Sequence, residues 1–229
     1  MNPAFSVVLL TTASGVGYGM LAWLGVLNAL RLLPSSPWFG VAAIVVALAL
    51  STVALLASTF HLGHPERAWR SISQWRTSWL SREGVMALLT YVPALGCAAA
   101  WWFAGPGTGV AAVLGLLAAA CSLATVACQA MIYATLRPIR QWHHRLVLPN
   151  FLLLALFTGA VWLAAAYLWR FSSLSALLAS ASAPFVLYGF GHGEQALVVA
   201  MMAALLWWKH SENIARLISG TESRIGQKT

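Results

Sequence analysis

Apolar runs of about twenty residues are the feature that most restricts the fold of this 229-residue chain. Five runs follow one another at 5–30, 38–60, 84–104, 109–136 and 146–169. A helix of about 20 apolar residues is long enough to cross the hydrocarbon core of a bilayer. Since 60% of the residues are hydrophobic and only 8% are charged, a soluble domain is excluded. We expect an all-α integral membrane protein.

The last apolar stretch, 171–208, leaves the number of helices open. Its 38 residues would form a helix of about 57 Å, which is long for one crossing and short for two crossings with a turn. The segment "GFGHGE" within it is typical of a loop. We expect a bundle of six or seven transmembrane helices, with a five-helix region at 1–169 and one or two further helices with a basic tail at 170–229.

Arginine follows alternate helices, which predicts the orientation of the chain. Four arginines follow the second helix and three follow the fourth, whereas "LLPSSP" and "GPGT" carry no charge. Positive loops face the cytoplasm, so the 61–83 and 137–145 connections and the N-terminus are predicted there. The formal charge of +8 is explained by these loops beside a lipid bilayer, and no nucleic acid partner is expected.

The connection at 61–84, "HLGHPERAWRSISQWRTSWLSREG", is unusually polar for this chain. Trp69, Ile72, Trp75 and Trp79 fall within about a third of a helical wheel, which predicts a short helix in the headgroup region with its aromatic side facing the lipid. An ordinary aromatic belt with arginines that reach towards water is the alternative interpretation.

Glu83 closes this polar connection and is predicted in the first turn of the third helix. A carboxylate there can simply interact with the helix dipole. With His61 or His64 at the end of the second helix, it can also accept the protons that a quinol releases on oxidation. Histidines at helix ends and in loops do not suit haem, and no metal site is predicted. Cys97, Cys121 and Cys128 lie within apolar runs as small hydrophobic side chains.

Three segments of the chain carry a family resemblance: "STFHLGHPERAWRSISQWRTSWLSREG", "MNPAFSVVLLTTASGVGYGML" and "MIYATLRPIRQWHH". They resemble the membrane anchor subunit of the dimethyl sulfoxide reductase family. The resemblance covers residues 1–162 and is strongest to the branch that anchors a sulfite dehydrogenase. It implies a non-catalytic subunit in the bacterial inner membrane, with roles in anaerobic electron transport. The implied partners are an iron-sulfur subunit and a molybdopterin catalytic subunit, and the implied electron carrier is menaquinone or ubiquinone, without haem.

The same resemblance implies roles for individual residues. Glu83 matches the acidic residue implicated in quinol binding, and His61 matches the motif histidine near that site. The quinone-binding and proton-transfer set is Glu83, His61, His64 and Arg67. The residues implied to dock the iron-sulfur partner are Arg70, Arg76, Arg82, Arg137 and Arg140.

The end of the chain resembles another family. Two segments carry this resemblance, "RFSSLSALLASASAPFVLYGF" and "ALLWWKHSENIARLISGTESRIGQK". They resemble the last part of the acyl-phosphate:glycerol-3-phosphate acyltransferase of phospholipid synthesis. The motif positions of that family would be His210, Asn213 and Glu222. We find no G-S-G-N or G-K-G loop of the kind that holds phosphates in that family. Acyl transfer, or a fusion remnant of that enzyme, is therefore the alternative function.

A third hypothesis is an unrelated small membrane protein or transporter. His192 and Glu194 are then the main polar candidates within the membrane. The inverted repeat that many transporters contain is not visible in the sequence.

Overall fold

The computed structural model describes residues 5–59, 65–140, 142–169, 172–189, 191, 193–219 and 221. Within these residues the chain forms eight α-helices and a short 3₁₀ helix at Pro65–Ile72. The α-helices are α1 Phe5–Ala29, α2 Pro37–Thr59, α3 Trp79–Ala104, α4 Gly109–Ala134, α5 Val147–Trp169, α6 Ser172–Gly189, α7 Gly193–Lys209 and α8 Ser211–Ile218. The expected all-α membrane fold is confirmed.

Five helices, α1 to α5, are long and apolar enough to cross a membrane. The 171–208 stretch, for which the sequence left one or two helices open, forms two. A turn that includes Gly191 in a left-handed conformation, with φ of 81°, separates α6 from α7. Helices of 18 and 17 residues extend about 27 and 26 Å, slightly less than a hydrocarbon core of about 30 Å. The bundle thus has seven helices of at least 17 residues among the described residues.

Several hydroxyl side chains within the apolar helices bond to their own helix. Hydroxyl groups donate to the carbonyl oxygen four residues earlier in the pairs Ser51–Ala47, Thr52–Leu48, Thr90–Met86, Thr125–Cys121 and Thr158–Leu154. Lipid supplies no hydrogen-bonding partners, so such local bonds lower the cost of placing a hydroxyl there. Large apolar side chains such as Val92 and Phe103 are exposed and face the region that lipid would occupy.

Helix α1 lies at the centre and packs against α2, α4 and α5. Glycines permit these close approaches: a Cβ atom on Gly25 would lie 2.1 Å from the Gly115 carbonyl oxygen, and one on Gly159 would lie 2.3 Å from the carbonyl carbon of Gly19. Association in a membrane depends on such backbone proximity, because lipid is as apolar as the helix surfaces. Cys97 and Cys128 are buried as expected, and Cys121 is half-buried.

Two predictions for the polar connection are wrong. The helical segment ends at Ile72 instead of continuing to Trp79, and residues 73–77 form turns. Helix α3 begins at Trp79, so Glu83 lies in its second turn and no acidic residue is in its first. The physical reason is that Trp79, Leu80 and Ser81 extend the helix beyond the apolar run from which its start was predicted.

Candidate functional site

Glu83 is buried inside the bundle. Its side chain is only 5% exposed, although its helix begins just four residues earlier at Trp79. Burying a carboxyl group inside an apolar helix bundle costs free energy. It requires a specific partner, and the fold supplies one from α4.

Gln129 of α4 is that partner. Its amide nitrogen Nε2 donates to Glu83 Oε1 at 3.0 Å and to the hydroxyl oxygen of Ser14 at 3.2 Å. Ser14, on α1, in turn donates to the carbonyl oxygen of Leu10. The side chains of Gln129 and Ser14 are 2% and 0% exposed. Three helices therefore meet in one buried hydrogen-bonded chain, which we name the Glu83 cluster: Glu83, Gln129 and Ser14.

The two carboxyl oxygens of Glu83 differ in their contacts with the described residues. Gln129 bonds to Oε1, and no hydrogen bond joins Oε2 to a residue in the described part of the chain. No ion pair to Glu83 is formed by those residues either. A carboxyl group with one amide donor, and with no described partner on its second oxygen, can take a proton from a bound hydroxyl group or return one to it.

Further hydroxyl groups lie deeper in the bundle beyond the Glu83 cluster. Tyr91 and Thr52 hydrogen-bond to each other at 2.7 Å, and Thr90 contacts Thr125 at 3.3 Å. The Tyr18 hydroxyl is buried without a hydrogen-bond partner among the described residues. The interior near Glu83 is therefore polar, in contrast to the apolar outer surface.

Arg82 secures the connection that precedes α3. Its guanidinium donates to the carbonyl oxygens of Trp75 and Arg76 at 3.0 and 2.8 Å and lies 4.2 Å from the centre of a Trp79 ring. These contacts hold residues 73–78 against the start of α3. They position the backbone next to Glu83, and docking of a partner by Arg82 stays a prediction.

The other predicted docking residues are exposed. Arg70 and Arg76 each lie over the ring of the preceding tryptophan, Trp69 and Trp75, at 5.6 and 5.5 Å. Arg137 and Arg140 are exposed in the connection between α4 and α5. Both connections lie at the same end of the helices, because α2 and α4 run towards that end and α3 and α5 run away from it. This agrees with one basic surface, and its docking role stays a prediction.

Of the remaining predicted quinone-site residues, the structure describes Arg67 alone. His61 and His64 lie outside the described residues, so their distance to Glu83 stays a prediction. Arg67 is exposed in the 3₁₀ helix. The helix also contacts α3 near the candidate site, since a Cβ atom on Gly84 would lie 3.8 Å from Ile72 Cγ1.

Sequence reasoning missed Gln129, Ser14 and Tyr18. Gln129 carried a usable signal, because an amide within an apolar run is costly unless it has a partner. Ser14 and Tyr18 carried none, since serine and tyrosine are common in membrane helices and are satisfied locally or at the interface.

The acyltransferase-like positions lie at the junction of α7 and α8. His210 caps the start of α8, and its Nδ1 atom is 2.9 Å from the Leu206 carbonyl oxygen. Asn213 is half-buried in α8, and Glu222 lies outside the described residues. Glu194, a polar candidate of the transporter hypothesis, is exposed at the start of α7, and His192 is also outside the described residues.

Two groups of known proteins are similar to this chain. A sulfite dehydrogenase subunit of Allochromatium vinosum is 42% identical over 181 residues, which cover 73% of this chain and 55% of that protein. The family model for glycerol-3-phosphate acyltransferase matches residues 145–220. The acyltransferases of Methylorubrum extorquens and Sinorhizobium fredii are 55% and 58% identical over 70 residues, or 31% of this chain and 35% and 34% of theirs.

These matches confirm both resemblances seen in the sequence. No solved structure matches the chain. The chain spans about half the length of the sulfite dehydrogenase subunit and about a third of the acyltransferases. It is thus similar over most of its own length to a sulfite dehydrogenase subunit, and over residues 145–220 to the glycerol-3-phosphate acyltransferase family.

Proposed function

We propose that this protein is the membrane anchor and quinone-reactive subunit of a molybdopterin and iron-sulfur oxidoreductase. It passes electrons between the quinone pool and an iron-sulfur partner, and it performs no substrate chemistry itself. The burial of Glu83 in a hydrogen-bonded cluster is the observation that carries this proposal. The similarity to a subunit of a sulfite dehydrogenase supports the type of complex.

The Glu83 cluster suits the headgroup of a quinone. A quinol hydroxyl donates a hydrogen bond, and Glu83 Oε2 is the acceptor without a described partner. Gln129 holds the carboxyl group from α4, while Ser14 orients Gln129 from α1. When the quinol gives two electrons to the iron-sulfur partner, it also loses two protons. In this proposal Glu83 accepts one proton, and His61 or His64 of the predicted set accepts the other. In the opposite direction Glu83 returns a proton to the reduced quinone.

The basic surface suits the electron-transfer partner. Arg70, Arg76, Arg137 and Arg140 are exposed at the end of the bundle where the Glu83 cluster also lies. Glu83 is four residues from the start of α3, about 6 Å along the helix. An iron-sulfur subunit bound to this end would stand near the proposed quinone site. Positive side chains there would attract an acidic partner surface and orient it.

Glu83→Gln is the variant that tests the quinone role. The amide keeps the shape of the side chain but cannot accept a proton, so quinone-coupled electron flow in membranes should fall by roughly 100-fold. Dye-linked activity of the catalytic partner and its co-purification should stay unchanged. Glu194→Gln makes the same chemical change at an exposed site in α7 and should leave all three measurements unchanged. Normal quinone turnover in Glu83→Gln would contradict the assignment.

Acyl transfer to glycerol 3-phosphate is the second candidate, and the match at residues 145–220 favours it. It is weaker, because the described His210 side chain bonds within its own helix turn and the phosphate-holding loops were not found. Purified protein can be assayed for acyl transfer from acyl phosphate, with His210→Ala as the inactive variant. Activity that His210→Ala abolishes would favour this candidate over the quinone role.

A further inference from the structure

A pocket lies at the end of the bundle opposite the basic connections. It has a volume of about 340 Å³ and separates the α1–α2 connection from the α3–α4 connection. Arg31 and Ser35 line one side, and Pro106, Gly107 and Thr108 line the other. Neither the proposed quinone role nor the acyltransferase motif involves these residues.

Arg31 occupies a backbone position that favours glycine. Its N–H donates to the Asn28 carbonyl oxygen and the next N–H, of Leu32, donates to Leu27, both at 3.0 Å. This pair of bonds is the usual termination of a helix by a residue in the left-handed region, where glycine is by far the most common. Arg31 has a φ of 57° and is the one non-glycine residue with positive φ in the described chain. An arginine at this position has a conformational cost that glycine would avoid.

The two sides of the pocket are fixed relative to each other by Asn28. This residue is 1% exposed. Its Nδ2 donates to the Ala111 carbonyl oxygen at 3.0 Å, and its Oδ1 accepts from the Gly107 N–H at 2.9 Å. A Cβ atom on Gly107 would lie 2.7 Å from Arg31 Cγ. The absence of a side chain at Gly107 therefore makes room for the arginine stem. The floor of the pocket is buried at Asn28 and Gly107, whereas the side chains of Arg31 and Ser35 are exposed at its mouth.

The guanidinium group of Arg31 is a cation without a described counter-ion. It forms no hydrogen bond or ion pair with any residue that the structure describes. Arg31 is also the only Lys, Arg, Asp or Glu in the first 65 residues of the sequence. The arginines of the two basic connections lie at the other end of the bundle. The pocket thus joins an isolated positive charge to the hydroxyl group of Ser35.

The chemistry of this pocket matches a phosphate group. A guanidinium binds phosphate through two parallel hydrogen bonds, and the Ser35 hydroxyl can donate one more. The Thr108 hydroxyl already donates to the Gly105 carbonyl oxygen at 3.2 Å. Helix α4 begins at Gly109, next to Thr108, and backbone N–H groups at the start of a helix also favour anions. The Arg31 side chain, the Ser35 hydroxyl and the residue that precedes α4 thus all line this one pocket.

We propose that this pocket binds a phosphate group through Arg31. The bound phosphate group belongs to the headgroup of an anionic phospholipid or is a free phosphate ion. The surroundings fit the headgroup, because the large apolar side chains of Leu30, Leu32 and Trp38 are exposed beside it at the helix ends and can contact acyl chains. Binding at this end is independent of the proposed quinone role.

The test uses the full chain purified in detergent and titrated with dioctanoyl phosphatidylglycerol, followed by native mass spectrometry. Arg31→Gly removes the guanidinium and places the favoured residue at a φ of 57°, so the variant should keep its thermal stability. Its affinity for this lipid should fall at least tenfold. Arg31→Lys should show a smaller loss, because lysine keeps the charge without the two-pronged geometry.

Local hydrogen exchange locates the binding site and distinguishes a phospholipid headgroup from a free phosphate ion. Lipid should slow exchange at residues 105–112 in the wild type but not in Arg31→Gly, and dioctanoylglycerol, which lacks the phosphate, should have no effect. Arg140→Ala, at the other end of the bundle, should retain the protection. Inorganic phosphate that gives the same protection at millimolar concentration identifies the free ion as a ligand, and no effect of phosphate identifies the headgroup. Equal lipid affinity and equal protection in the wild type and Arg31→Gly would overturn the proposal.

Discussion

Gln129 shows how one side chain can make a costly neighbour tolerable. Its amide group binds both the buried Glu83 carboxyl and the buried Ser14 hydroxyl. These contacts join residues that are 46 and 115 positions apart in the sequence. An amide donor lowers the cost of burying a carboxyl group without adding a charge of its own. The proposed proton-accepting role of Glu83 therefore depends on a residue in another helix.

Gln129→Leu should destabilise the protein by about 1–3 kcal/mol, because a buried carboxyl group loses its hydrogen-bond donor. It should also slow quinone-coupled electron flow, since Glu83 is no longer held in place. Thermal unfolding in detergent measures the first effect.

Ser122→Ala is the matched control on the same helix. The Ser122 hydroxyl is buried and has no hydrogen-bond partner among the described residues, so its removal should cost little. Equal melting temperatures for Gln129→Leu and the wild type would show that the amide does not stabilise the Glu83 cluster.

Among the helices, α1 organises the bundle by close backbone contacts. Gly19 approaches Ala155 and Gly159 of α5, and Gly25 approaches Gly115 of α4. The Trp23 indole N–H additionally donates to the Leu156 carbonyl oxygen at 2.8 Å. Helix α5 lies within residues 145–220, which match the acyltransferase family. The part of the chain with acyltransferase similarity is therefore integrated into the bundle by α5.

Gly159→Ala should lower the melting temperature by about 2–12 °C, because its Cβ would lie 2.3 Å from a backbone atom of α1. Forcing extra volume into such a contact costs typically 1–3 kcal/mol. Gly109→Ala makes the same change at the start of α4, where nothing lies within 4 Å of the added atom, and should be neutral. If both variants melt at the same temperature, the close α1–α5 packing is not needed for stability.

Over the whole molecule, charge is distributed unevenly between the two ends of the bundle. In the described five-helix part, one end carries the arginines of the 65–78 and 135–146 connections and Arg82, while the other carries Arg31. An uneven distribution of this kind can orient a protein in the membrane and can attract a partner to one face. The proposed iron-sulfur subunit would use the arginine-rich end.

Reversing both Arg137 and Arg140 to glutamate should weaken attachment of the partner subunits at least tenfold, which corresponds to about 1.4 kcal/mol. Co-purification followed by iron and molybdenum analysis measures this loss. Arg31→Glu reverses a charge at the opposite end and should leave attachment unchanged. Full iron and molybdenum content in the double variant would contradict a docking role for these two arginines.

Much of this architecture could be predicted from local sequence, and the limits of that prediction are informative. The apolar runs predicted helices α1 to α5 with ends that differ by a few residues. The start of α3 was placed too late, because Trp79 and Leu80 belong to the helix although Arg82 and Glu83 interrupt its apolar pattern. Glu83 was identified as a candidate from its position, but its burial and its bond to Gln129 were not.

The sequence by itself determined the helices. A backbone in lipid must satisfy its hydrogen bonds within each segment, so an apolar run long enough to cross the bilayer specifies a helix. Tertiary structure alone decided which side chains meet. The membrane helices are apolar on nearly all sides, so no polar stripe along the sequence indicates the face that turns inward. Glycine contacts select those faces, and they bring Glu83 to Gln129 and Arg31 to Gly107.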